Sequence, residues 1–135
     1  MGLDNGFVVK SDKRKITRED LPKEIDYPFT NDYDFAPEIV YWRKCWGLRG
    51  AVLDIISEHD SENYCYQIDT PEQIFKIVNV IFGFMDEKVW EDEGDSIWTY
   101  DEIRSRLERD IINLILMIPF MRDNPDIYLE FYDSY

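Results

Sequence analysis

Residues 37–59 read PEIVYWRKCWGLRGAVLDIISEH, and the fold turns on how this stretch is taken. At 100° per residue, Tyr41, Cys45, Leu48, Val52, Ile55 and Ile56 share one arc, the arc a core would take. Trp42, Trp46 and Leu53 flank it at helical spacing, with Arg49 between the two groups. The opposite face reads Arg43, Gly47, Gly50, Asp54 and Ser57. The pattern predicts one long amphipathic helix from about Pro37 to Ser57. Two glycines on its polar face are unusual, since each costs roughly 1 kcal/mol against alanine. They read as room for close packing by another part of the chain. The alternative is that a ligand or partner backbone approaches there, beside Arg43 and Lys44.

Working outward, Gly6–Lys10 (GFVVK) is a short β-prone run after an Asp-Asn-Gly turn signal. Lys10–Arg18 follows with five basic residues against Asp12, a positive arm that reads as neutralising the domain's own acidic surface. Thr17 can cap a short turn that Pro22 stops. Asp26–Pro37 reads as loop: Tyr27, Phe29, Tyr33 and Phe35 pin it to the core, and Asp26, Asp32 and Asp34 could line a site. On the other side, His59–Asn63 is a polar turn and Tyr64–Ile68 alternates like a strand.

Thr70, Pro71 and Gln73 mark a helix start by cap, first-turn proline and capping box. The helix that follows is apolar nearly all round and is expected to be buried. Thr99 with Glu102 opens a third helix, whose stripe is Ile103, Leu107, Ile111, Leu114 and Ile118. Trp98 can staple onto Ile103. Beyond Ile111 this helix too is apolar on nearly every side, until Pro119 kinks or ends it. Ile127–Tyr132 (IYLEFY) is a terminal strand. These elements predict a single α+β domain over 1–135. Three main helices would pack on a small, mostly antiparallel sheet of about three strands, with the strands near the two termini pairing.

The charge balance narrows the function classes. Twenty-nine acids against 15 bases give a net charge of −14, which repels nucleic acid and anionic membranes and suits basic partners. No apolar run reaches the ~18 residues of a membrane span and no apolar leader opens the chain, so a cytoplasmic setting is expected. Cys45 and Cys65 lack C-x-x-C spacing and read as reduced thiols in apolar company. His59, the only histidine, has no partner at metal spacing. Ser-His-Asp, Walker A, G-x-G-x-x-G and H-E-x-x-H motifs are all missing from the sequence, so neither a catalytic residue, a cofactor nor a metal site is assigned. Binding is expected rather than catalysis.

Half of the net charge sits in one place. Asp86–Glu102 holds eight acids against Lys88 alone, a net of −7, with Trp90 and Trp98 embedded in it. Asp86, Glu87, Glu91, Asp92, Glu93 and Asp95 could imitate a phosphate backbone, with Trp90 and Trp98 as contact anchors. A second candidate, for a small ligand, is Asp4, Tyr41, Arg43 and Lys44, which would meet if the first strand lies beside the start of the first helix. Trp42 and Trp46 offer a face on which a homodimer could form.

The opening Met1-Gly2-Leu3-Asp4, the block Glu38–Lys44 (EIVYWRK) and the aromatic end Tyr128–Tyr135 occur together. In this the chain resembles a family of small, largely uncharacterised bacteriophage and prophage proteins. Those begin M-G-L-D, carry Y-W-R-K at a helix start and end in an aromatic strand. The resemblance covers about a third of the chain, excludes the acidic segment, and implies a phage or mobile-element context rather than an activity. The function expected is inhibition of a host nucleic-acid-handling defence protein, of the anti-CRISPR or anti-restriction type. It would act through a DNA-mimicking carboxylate surface on a basic partner such as a nuclease. The alternatives are the small-ligand site and an immunity protein against a basic toxin.

Overall fold

The computed structural model describes residues 3–26, 36–56, 65–94 and 96–134. Among the described residues four strands form one antiparallel sheet: β1 (Asp4–Ser11), β2 (Glu38–Arg43), β3 (Cys65–Ile68) and β4 (Ile127–Ser134). Their order is β2-β1-β4-β3. The strands near the two termini pair along their whole length, from Asp4 opposite Ser134 to Ser11 opposite Ile127. Helices α1 (Trp46–Ile56), α2 (Pro71–Phe84), α3 (Glu87–Val89, one turn) and α4 (Tyr100–Asp123) complete the fold. The α+β class is as expected, with one strand and one short helix more than the sequence suggested.

The additional strand comes from the deciding stretch. Residues 38–43 are not the start of a helix: Glu38–Arg43 pairs with β1, Asn5 facing Trp42 and Phe7 facing Val40. Helical and strand periods are hard to tell apart over so few residues. Ile39 and Val40 are β-branched and so favour the strand, and β1 supplies the hydrogen-bonding edge that decides it. A bulge next to Val40 lets both Ile39 and Val40 face the core. Lys44 takes a left-handed conformation (φ 55°) and turns the chain into α1. The Y-W-R-K block of the phage-like resemblance is therefore a strand end and a turn, and the helix begins only at Trp46.

One face of the sheet carries the core. Phe7 packs edge-on to Trp42 at 5.8 Å between centroids and lies 5.0 Å from Phe131. Helices α1, α2 and α4 bury Leu48, Val52, Ile74, Ile77, Ile81, Leu107 and Leu114 with them. Trp42 is wholly buried, so it is not a dimer face. The predicted caps form as read: the Gln73 amide donates to Thr70 Oγ1 at 3.2 Å, and the Glu102 amide donates to Thr99 Oγ1 at 3.3 Å.

Of the two alternatives at Pro119, an end is not what occurs, since α4 runs on to Asp123. Two expectations of burial fail. Neither α2 nor the second half of α4 is buried all round: Phe75, Phe82, Ile112 and Ile115 are exposed. Only one face of each helix meets the sheet, whatever the chemistry of the other. The loop aromatics Tyr27, Phe29, Tyr33 and Phe35, the carboxylates Asp32 and Asp34, and His59 lie outside the described residues. Among the described residues, no helix is long and apolar enough to cross a membrane.

Candidate functional site: an acidic wrap and the sheet end it touches

The acidic segment begins where α2 stops. The Asp86 carboxylate caps α3 by accepting from the Lys88 and Val89 amides at 3.0 and 3.2 Å. A wide π-type turn, Trp90–Gly94, follows. Trp90 points inward and is buried. Its indole N–H donates to the Trp98 carbonyl at 3.1 Å, and its ring meets Phe84 edge-on at 6.3 Å. Gly94 lies under that ring, where a Cβ would come within 2.8 Å of the indole. The Ser96 hydroxyl donates to the Arg43 carbonyl at 3.2 Å and accepts from the Trp98 amide at 3.2 Å. The Cys45 thiol donates to Ser96 Oγ at 3.4 Å.

The glycine face of the deciding stretch receives this wrap. A Cβ on Gly47 would collide with the Glu93 carbonyl and approach Phe84 to 3.0 Å. The chain itself therefore fills that position, as the close-packing reading expected. Gly50, by contrast, faces open space.

The wrap is thus fixed on its inner side and charged on its outer side. Asp86, Glu87, Glu91, Asp92 and Glu93 are all exposed. Asp95 lies outside the described residues. Trp90 is a core pin rather than a surface anchor. Trp98 is half-buried under the Arg106 guanidinium, 4.3 Å above its ring. Two other apolar side chains are exposed, Trp46 with the Arg49 guanidinium 5.6 Å from its ring centre. Trp46 is 44% exposed and Ile97 55%. The backbone of Trp46 lies against the wrap, between Cys45, bonded to Ser96, and Gly47, pressed against Glu93.

The second candidate set also converges. Asp4 faces Arg43 across the strands, and the Tyr41 hydroxyl donates to Asp4 Oδ1 at 2.6 Å. Burial and then the neighbouring Asp4 carboxylate push the Tyr41 hydroxyl well above the usual phenol range. Tyr41, not Arg43 or Lys44, is thus the side-chain partner of Asp4 among the described residues. Lys44 is tied by its backbone, whose N–H donates to the Leu3 carbonyl at 2.7 Å.

Several polar groups escaped the sequence reading. Arg49 grips Asp133 with two bonds, Nε to Oδ1 and an Nη to Oδ2, each 2.8 Å. Asn5 donates to the same Asp133 Oδ1 at 2.7 Å. On the sheet face away from the helices, the buried Glu38 carboxylate accepts from the Tyr132 hydroxyl directly above Gly6. A Cβ on Gly6 would strike Glu38, the Val40 carbonyl at 2.5 Å and the Tyr132 ring at 2.7 Å. The one available signal was a glycine inside a strand pattern, which marks a close approach. The partners themselves are 32 and 126 positions away and leave no local trace.

Among the described residues no three His, Cys, Asp or Glu side chains converge as a metal ion requires. A scan against protein-family models finds no match, and neither a curated protein nor a solved structure matches this chain.

Proposed function

We propose that the chain works by binding, presenting the wrap Asp86–Gly94 to a basic protein surface. The observation that carries this reading is the two-sidedness of the wrap. Five carboxylates stand in solvent on a backbone that Trp90, Gly94 and Ser96 hold in place. A backbone fixed before binding loses little entropy on contact, and clustered carboxylates speed association with an oppositely charged groove. Trp46 and Ile97 beside the wrap supply the apolar contact that Trp90 and Trp98, turned inward, do not. The basic groove best matched by spaced carboxylates is one that normally holds a phosphate backbone. The phage-like resemblance adds the setting: inhibition of a host CRISPR effector or restriction enzyme.

The test is inhibition of such an enzyme by the full chain, with capture from nuclease-treated bacterial lysate at low and high salt to find it. Reversing Glu91, Asp92 and Glu93 together to lysine is expected to abolish capture, and Trp46→Ala to weaken it about tenfold or more. Capture that survives both the triple reversal and high salt would sink the reading.

A second reading rests on the convergence of Asp4, Tyr41 and Arg43 at the sheet end. It makes the chain a small-ligand binder there, and a ligand-induced rise in Tm that Arg43→Ala removes would favour it. An immunity protein against a basic toxin would use the same acidic wrap as the first reading.

A further inference from the structure

The outer face of α2 and α4 carries four exposed, large apolar side chains. The two helices run antiparallel. The Tyr100 hydroxyl at the start of α4 donates to the Met85 carbonyl just past the end of α2, at 2.7 Å. At the opposite end, Ile74 of α2 lines one cavity with Ile118 and Met121 of α4. On α2, Phe84 turns toward Gly47 of α1, and Phe75 and Phe82 lie on the opposite flank, the one toward α4. On α4, Asn113 turns toward β2, donating to the Ile39 carbonyl at 2.9 Å, and Ile115 lies on the opposite flank, the one toward α2. Ile112 stands on the crest beside it. Phe75, Phe82, Ile112 and Ile115 are 53%, 56%, 55% and 41% exposed and form one apolar strip along the helix pair.

We infer that this strip is the interface of a homodimer, a second copy of the chain packing on it about a two-fold axis. Area and charge both point to a copy. Four such side chains, each of roughly 200 Å² and about half exposed, offer on the order of 400 Å² of apolar surface. A stable dimer buries about 800 Å² per partner, somewhat more than half of it apolar, so the strip matches the apolar share of one partner. Patches of this size on monomers mark contact sites.

Three ion pairs flank the strip. Lys76 pairs with Glu72 at 3.7 Å, Arg104 with Glu108 at 3.7 Å, and Arg122 with Asp123 at 3.2 Å. A body of net charge −14 repels its own copy, and it does so least through a face where most carboxylates are paired with a base of the same chain. A basic partner, by the same logic, is drawn to the acidic wrap, whose carboxylates are more densely spaced. An isologous contact uses the same patch twice, and the strip supplies it.

The experiment is sedimentation equilibrium of the full chain over a range of concentrations, at low and high salt. The expected mass rises with concentration to twice the 16.3 kDa of the chain. Dimerisation is expected to strengthen with salt, because salt screens the repulsion between two acidic bodies. Capture of a basic partner by the wrap has the opposite salt dependence, so the two proposals fail separately. Phe82→Glu and, independently, Ile112→Lys are each expected to weaken the dimer at least about tenfold without changing the far-ultraviolet circular dichroism, since both positions are exposed. Reversing Glu91, Asp92 and Glu93 leaves the dimer intact. A monomer at every concentration in high salt overturns the inference and leaves the strip to a different macromolecule. A dimer that both substitutions spare overturns it equally.

Discussion

The indole N–H of Trp42 donates to Asp110 Oδ2 at 2.9 Å, a buried bond that joins strand β2 to the middle of α4. Burial dominates the chemistry of this carboxyl and pushes its pKa from 3.8 up to about 7. The Trp42 bond, Arg109 and Arg106 pull the other way. Folded Asp110 therefore holds a proton that the unfolded chain has released between pH 3.8 and about 7. The folded state binds more protons in that window, so this group's contribution to stability falls as pH rises through it and levels off above.

Asp110→Asn keeps an acceptor for Trp42 and removes the titration. The variant is expected to be more stable than the parent at pH 8, by roughly 1–4 kcal/mol, and to lose less stability between pH 5 and 7. Urea melts across that range measure both. A variant less stable at pH 8, with the parent's slope unchanged, contradicts the assignment.

The glycines separate into those that are filled and those that are not. Gly6→Ala would place a Cβ against Glu38, the Val40 carbonyl and the Tyr132 ring, and is expected to cost about 3 kcal/mol or more. Gly50→Ala and Gly83→Ala meet no atom within 4 Å, and each should add roughly 0.5–1 kcal/mol by raising helix propensity. Denaturant midpoints of the three variants rank them directly.

Gly47→Ala tests the attachment of the wrap. Its Cβ meets backbone at Glu93, which cannot rotate away as a side-chain tip can. The expected result is loss of the near-ultraviolet signal and fluorescence shift of buried Trp90, with capture of a basic partner reduced although no carboxylate has changed. Unchanged Trp90 fluorescence would mean that the wrap tolerates the methyl group.

Arg49 and Arg43 are close in sequence and far apart in consequence. Arg49→Ala leaves the buried Asp133 carboxylate with Asn5 alone and is expected to cost about 2–4 kcal/mol. The exposed Arg43 side chain has no such partner among the described residues, and Arg43→Ala should stay within about 0.5 kcal/mol. Thermal melts of the pair decide it. Equal losses would remove the distinction.

By itself the sequence determined what is local. The caps at Thr70 and Thr99, the terminal strands and the α+β class follow from contacts within a few residues or from strict alternation, and they stand in the structure as read. The concentration of charge in Asp86–Glu102 was equally legible, because composition needs no fold. What only the tertiary structure decided is what depends on a neighbour distant in the chain. Residues 38–43 fit a helix by period and became a strand because β1 lay beside them to take their hydrogen bonds. Trp90 and Trp42 went inside, while Phe75, Phe82, Ile112 and Ile115 stayed out, although all six are apolar. Hydrophobicity says that a side chain gains by leaving water, but which ones leave is set by the single face each helix turns to the sheet. The candidate surfaces inherit that division: the carboxylates came from composition, and their anchors, their rigid backing and the apolar strip on the far helices came from packing.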